Sequence, residues 1–134
     1  MDTPLPQAIA LKQAGLIWKP ALHDFFTIAD IGLDDRVFVL TDMMAQNEVL
    51  KGTNAITFNG AVEWALDFVL VSEAVWVPTE AQLRAQLQAM SQRFELKVTE
   101  TIDLTVYTAE EPRVFQADSV PSAYAKALFA LLAK

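Results

Sequence analysis

Residues 79–107, TEAQLRAQLQAMSQRFELKVTETIDLTVY, change their hydrophobic period once, and that change decides the fold class. In the first half Leu83, Leu87, Met90 and Phe94 recur at i, i+4, i+7 and i+11, along one face of a helix. Thr79 and Gln82 stand three apart at its head, the spacing at which a hydroxyl and an amide satisfy each other's backbone N–H groups. The pattern predicts a helix over Thr79–Arg93. From Phe94 the period drops to two: Phe94, Leu96, Val98, and then Ile102, Leu104, Val106. These are two half-buried antiparallel strands or one long bent strand.

Downstream, Glu110-Glu111-Pro112 turns the chain, Arg113–Ala117 reads as a third strand, and a helix runs from about Pro121 to Ala133 with Tyr124, Leu128, Leu131 and Leu132 on one face. Upstream, Thr3 can cap a first helix with Pro4 in its first turn and Ala8, Ile9 and Leu11 at helical spacing. Gly15 falls where a left-handed stop belongs, with Leu16 placed to touch Leu11. Phe25–Ala29 and Arg36–Leu40 are strand-like, joined by the acidic turn Asp30–Asp35. Thr41–Leu50 fits a short helix or a strand after a loop. Ala55–Phe58 is β-like and closed by Asn59-Gly60, and Ala74–Val77 is a short strand ending at Pro78. Ala61–Leu70 reads as a helix apolar nearly all round, broken only by Glu63 and Asp67, and therefore deeply buried. Runs of strands with short turns between helices predict an α+β fold: an antiparallel sheet with about four helices packed on it, a single layer pair, in one domain over 1–134.

Composition sets the outer bounds. The chain has 134 residues, 53% of them hydrophobic, with 17 acidic side chains against 10 basic ones and a net charge of −7. The mean hydropathy is +0.26 and the isoelectric point about 4.5. Disorder is excluded by the apolar content, and a nucleic-acid partner is not expected without a basic stripe. There is no cysteine, which removes disulfides, zinc ribbons, thiol nucleophiles and iron–sulfur ligation. The longest stretch free of Asp, Glu, Lys and Arg runs from Gly52 to Val62, eleven residues, so no membrane span is expected. The first residues, Met-Asp-Thr-Pro, have neither a basic nor an apolar leader region, and a cytoplasmic location is expected.

The parts for most chemistries are missing. The four glycines stand at 15, 32, 52 and 60, and no pair has the spacing of a phosphate-binding loop. His23 precedes Asp24, but adjacent side chains point apart in an extended segment, so a surface or loop histidine is the expectation. Asp30, Asp34 and Asp35 lack the spacing of a calcium loop and read as a solvated turn. Glu63 and Asp67, four apart on one helix face, could do acid–base work if held close in a dry site, or could simply form that helix's wet edge or pair with a basic neighbour. No cofactor and no metal site are expected. Trp18, Phe25, Phe26, Trp64, Phe68 and Trp76 crowd into residues 18–76, and core packing is their default role.

Ala14-Gly15-Leu16-Ile17-Trp18-Lys19-Pro20, Asp24-Phe25-Phe26, Val37-Phe38-Val39, Thr57-Phe58-Asn59-Gly60, Glu63-Trp64-Ala65-Leu66-Asp67, and Val75-Trp76-Val77-Pro78 with Gln82-Leu83-Arg84 cover most of the chain. On these segments it resembles a family of small uncharacterised bacterial proteins, some of which carry a pilus-assembly label of the CpaE type. The resemblance implies a compact cytoplasmic bacterial domain and carries over no catalytic residue. Together, these readings point to a non-enzymatic interaction or assembly module with a protein partner or a second copy, as a homodimer. Its patch would draw on Trp18, Phe25, Trp64 and Trp76, with Glu63 and Asp67 beside them. The alternative is a small-molecule-binding protein or hydrolase with its carboxylate site at Glu63 and Asp67.

Overall fold

The computed structural model describes residues 3–28, 33–40, 45–50, 53–58 and 68–133. In chain order the elements are α1 (Leu5–Gln13), β1 (Phe25–Ile28), β2 (Leu33–Val39), β3 (Ala45–Leu50), β4 (Thr53–Phe58), β5 (Phe68–Leu70), β6 (Ala74–Trp76), α2 (Glu80–Met90), β7 (Arg93–Val98), β8 (Ile102–Tyr107), β9 (Arg113–Ala117) and α3 (Val120–Leu132). A 3-10 turn, Val71–Glu73, joins β5 to β6. The class is α+β. The contacts divide the chain into two compact units, Met1–Leu16 with Pro78–Lys134, and Ile17–Val77.

The first unit holds α1, α2 and α3 and one antiparallel sheet in the order β7-β8-β9. α2 opens with a complete capping box: Thr79 Oγ1 accepts from Gln82 N at 3.2 Å, and Gln82 Oε1 accepts from Thr79 N at 2.9 Å. It closes three residues before Arg93, because Ser91 is extended and its hydroxyl donates to Leu87 O. β7 and β8 form two separate strands, paired Phe94↔Val106, Leu96↔Leu104 and Val98↔Ile102, and β9 joins with Phe115 opposite Leu104. Opposite residues share a face, so one side of the sheet is apolar. α3 packs on β8 and β9, with α2 and α1 packed against α3. Leu11, Leu83, Leu87, Leu104, Val106 and Leu128 form the buried centre, and Phe94 meets Tyr124 edge-on at 5.7 Å.

α1 ends as its sequence predicts. Gly15 has φ +108, Leu16 N donates to Leu11 O and Gly15 N to Lys12 O, the paired bonds of a Schellman stop. Its start differs from the reading. The N-cap is Pro4, with no side-chain cap, and the Thr3 hydroxyl donates instead to Pro78 O at 2.7 Å. That buried bond ties the first residues to the segment entering α2, a use of Thr3 that only long-range folding reveals.

The second unit holds two small antiparallel sheets, β2-β1-β6 and β3-β4-β5. β1 lies between partners far apart in sequence: Phe26 faces Phe38 on β2 and Trp76 on β6. Trp18, Phe26, Ile28, Leu40 and Ala74 make its buried cluster, with Phe38 and Trp76 packed against it. Trp18 stacks on Phe26 at 5.5 Å, and Phe38 tilts against Phe26 at 5.6 Å.

Two expectations are corrected. The single sheet with about four helices is replaced by three three-stranded sheets and three α-helices among the described residues. Of the helix read over 61–70, Phe68–Leu70 is instead strand β5, paired Ala55↔Leu70, Ile56↔Val69 and Thr57↔Phe68. An unbroken apolar run has no period to separate a buried strand from a buried helix, and pairing with β4 satisfies this backbone. Residues 61–67, including Glu63, Trp64 and Asp67, lie outside the described residues, as do Ala29 at the end of the first strand reading, 30–32 of the acidic turn, 41–44 and Asn59-Gly60. Asp34 and Asp35 fall within β2, which begins at Leu33, and Ala45–Leu50 is strand.

Candidate functional site

Of the aromatic residues singled out from sequence, Trp18, Phe25, Phe26 and Trp76 can be placed, and Trp64 lies outside the described residues. Trp18 is a core member, and Trp76 is half-buried on the same face as Phe26, which it opposes. Phe25, one residue before Phe26, is on the other face of β1, opposite Val39. The Trp76 indole nitrogen is buried without a hydrogen-bond partner.

The pair His23-Asp24 is built into a turn. His23 has φ +73 and its backbone N–H donates to Leu40 O. Asp24 is 5% exposed, and its Oδ2 accepts from Trp18 Nε1 at 2.9 Å and from Ala21 N at 3.0 Å. A buried carboxylate holding an indole and a turn N–H is a structural anchor. It fixes Trp18 over Phe26.

In the first unit, β7 and β9 are the edges of a sheet whose centre is β8. On the apolar face, Phe94, Ile102 and Phe115 pack into the core, but toward the β7 edge Leu96 is 36% exposed and Val98 59% exposed. The opposite face carries Arg93, Glu95 and Lys97 on β7, facing Tyr107, Thr105 and Asp103 on β8. The Arg93 guanidinium lies 3.8 Å from the Tyr107 ring centroid and also pairs with the Glu95 carboxylate. Lys97 stands opposite Asp103, one of whose carboxylate oxygens is buried without a hydrogen-bond partner. β9 presents Val114, 61% exposed. An edge strand offers unpaired backbone groups, and apolar side chains beside them make it a template for another strand.

Two concavities lie in the same unit. An open, polar cleft of about 560 Å³ runs between the β7–β8 turn and the start of α3, lined by Thr99, Glu100, Asp118 and Lys126 among others, and Lys126 Nζ donates to Gln116 O at 2.7 Å. A smaller apolar hollow of about 230 Å³ lies between α1 and α3, at Ala10, Ala125 and Phe129. Among the described residues no group of three or more His, Asp or Glu side chains could hold a metal ion, and no helix is long and apolar enough to cross a membrane.

Charge divides unevenly. Residues 17–77 carry nine acids against three bases, while the other unit carries eight against seven, so almost all of the acid excess belongs to the second unit. The β7–β8–β9 surface is therefore on a nearly neutral unit, which lowers the repulsion against an approaching chain. The strand pattern of β7 was legible in sequence, but its place at an edge was not, because edges follow from pairing order. The available signal was Leu96 and Val98 alternating with Glu95 and Lys97 in the first of three consecutive strands, with Val114 beside Arg113 in the third. The chain matches no family model, no curated protein and no solved structure.

Proposed function

We propose that this protein is a non-enzymatic interaction or assembly module that binds another polypeptide through the sheet of its first unit. One observation carries the reading: an antiparallel sheet whose edge strands β7 and β9 pair with no further described strand, with Leu96, Val98 and Val114 exposed along them. Isolated exposed apolar residues are ordinary, but their alignment on unpaired strands supports docking by strand addition. The reading includes a cytoplasmic location and a protein partner or a second copy, with no cofactor.

Lys97, exposed on β7, is a built-in reporter. Amine-reactive cross-linking in cells making the protein, followed by mass spectrometry, should give Lys97 links to a second polypeptide. Those links should be lost in V98E, while links within the chain through Lys126, on α3, persist. Only links within one chain at Lys97 would overturn the reading.

A further inference from the structure

The sequence of β7, Arg93-Phe94-Glu95-Leu96-Lys97-Val98, reads the same in physical type from both directions about Leu96. Apolar residues stand at the centre and two places to either side, and an acid and a base stand one place to either side. We propose that β7 pairs antiparallel with β7 of a second copy, about a two-fold axis at Leu96, joining the two β7–β8–β9 sheets into one. This rests on the interaction-module reading and names its partner.

Symmetry fixes the contacts. Leu96 meets Leu96 of the second copy, Phe94 meets Val98, and Glu95 meets Lys97, the last two pairs occurring twice. Directly opposed side chains in an antiparallel pair have Cβ atoms roughly 4.5–5.5 Å apart. The apolar pairs fall on the face where Leu96 and Val98 are incompletely covered, and the charged pairs on the face shared with Arg93 and Asp103. Lys97 then has a carboxylate on either side, Asp103 in its own chain and Glu95 of the second copy. Centring on Phe94 also sets Glu95 opposite Arg93, but pairs only residues 93–95 of the strand and leaves Leu96 opposite Gln92, so it is the poorer register. Centring on Glu95 puts two carboxylates opposite each other and Arg93 opposite Lys97, while centring on Lys97 puts two ammonium groups together. A half-step sets apolar residues against charged ones. A lysine on an edge strand ordinarily blocks pairing, but here Glu95 two positions earlier turns it into a complement. β9, Arg113-Val-Phe-Gln-Ala117, has no such self-complementarity.

The chain has no cysteine, so L96C creates the only thiol in the molecule, placed on the axis at a separation a disulfide can span. With mild oxidant at tens of micromolar protein, L96C should give a covalent dimer at least about tenfold faster than V114C, although Val114 is the more exposed position. A charge swap tests the register without cysteine. E95K sets like charges opposite at two symmetric places and should weaken self-association, read by sedimentation equilibrium, by about tenfold or more. The double variant E95K/K97E should restore a measurable part of it, although its residue 97 then faces Asp103 of its own chain with like charge. Circular dichroism confirms that each variant is folded. Equal cross-linking of L96C and V114C, or a double variant as weak as E95K, overturns the proposal. If L96C stays monomeric while Lys97 still cross-links to a different protein, the second-copy inference fails and the interaction-module reading stands. If neither occurs, both fail.

Discussion

Leu104 is the residue on which the first unit should depend most. It is 0% exposed, lies on the central strand with Leu96 and Phe115 on either side, and contacts the cluster built by α2 and α3. Leu104→Ala removes its side chain from a place that neither the two flanking strands nor the helix layer can easily fill. The expected cost is about 3 kcal/mol, the lost transfer energy plus a cavity. With a urea dependence of about 1 kcal/mol/M for a unit of this size, the midpoint should fall by about 3 M. All three described helices belong to this unit, so ellipticity at helical wavelengths follows its unfolding. All three tryptophans, Trp18, Trp64 and Trp76, belong to the other unit, so their emission gives a second, separate trace. Val114→Ala, on an exposed site, is the control and should change stability by less than about 0.5 kcal/mol. A loss below about 1 kcal/mol for Leu104→Ala, or one no larger than the control's, would refute the packing described here.

Asp24→Ala should cost about 2–4 kcal/mol on the tryptophan-emission trace and red-shift that emission, because Trp18 Nε1 loses its buried acceptor. Gly15→Ala should cost about 1–2 kcal/mol in thermal unfolding. The new Cβ would touch nothing within 4 Å, so the whole penalty comes from φ +108. Burial pushes the Tyr124 hydroxyl above its usual 10.0, against the pull of Arg84, which hydrogen-bonds to it, and with a smaller push from Glu80. The fold thus favours the neutral phenol. Its stabilisation is complete below pH 10.0 and is lost as pH rises through the folded value, so the melting temperature should drop in that alkaline range. Tyr124→Phe should flatten that drop.

Local chemistry was readable wherever a few adjacent residues settle it. The Thr79–Gln82 box, the Gly15 stop and the period-two strands 94–98 and 102–106 each depend on neighbours within one or two turns of chain. Phe68–Leu70 shows the limit: three apolar residues satisfy a helix and a strand equally, and a distant segment, β4, decides between them. Thr3 shows the same limit for a single side chain, since its hydroxyl finds Pro78 and leaves the cap unmade. The aromatic residues near positions 18–76 looked like one cluster in sequence. The pleat of β1 put Phe25 on one face and Phe26, with Trp18 and Trp76, on the other.

By itself, the sequence determined the class of fold, the absence of thiol and phosphate-loop chemistry, and most element positions, because composition, period and capping act over short range. Only the tertiary structure decided that residues 1–16 belong with 78–134, that the acid excess gathers in 17–77, and that β7 stands at an edge. Each of these depends on which strands and helices meet across long stretches of chain, and that choice is made by competing burial and backbone pairing, not by any local signal.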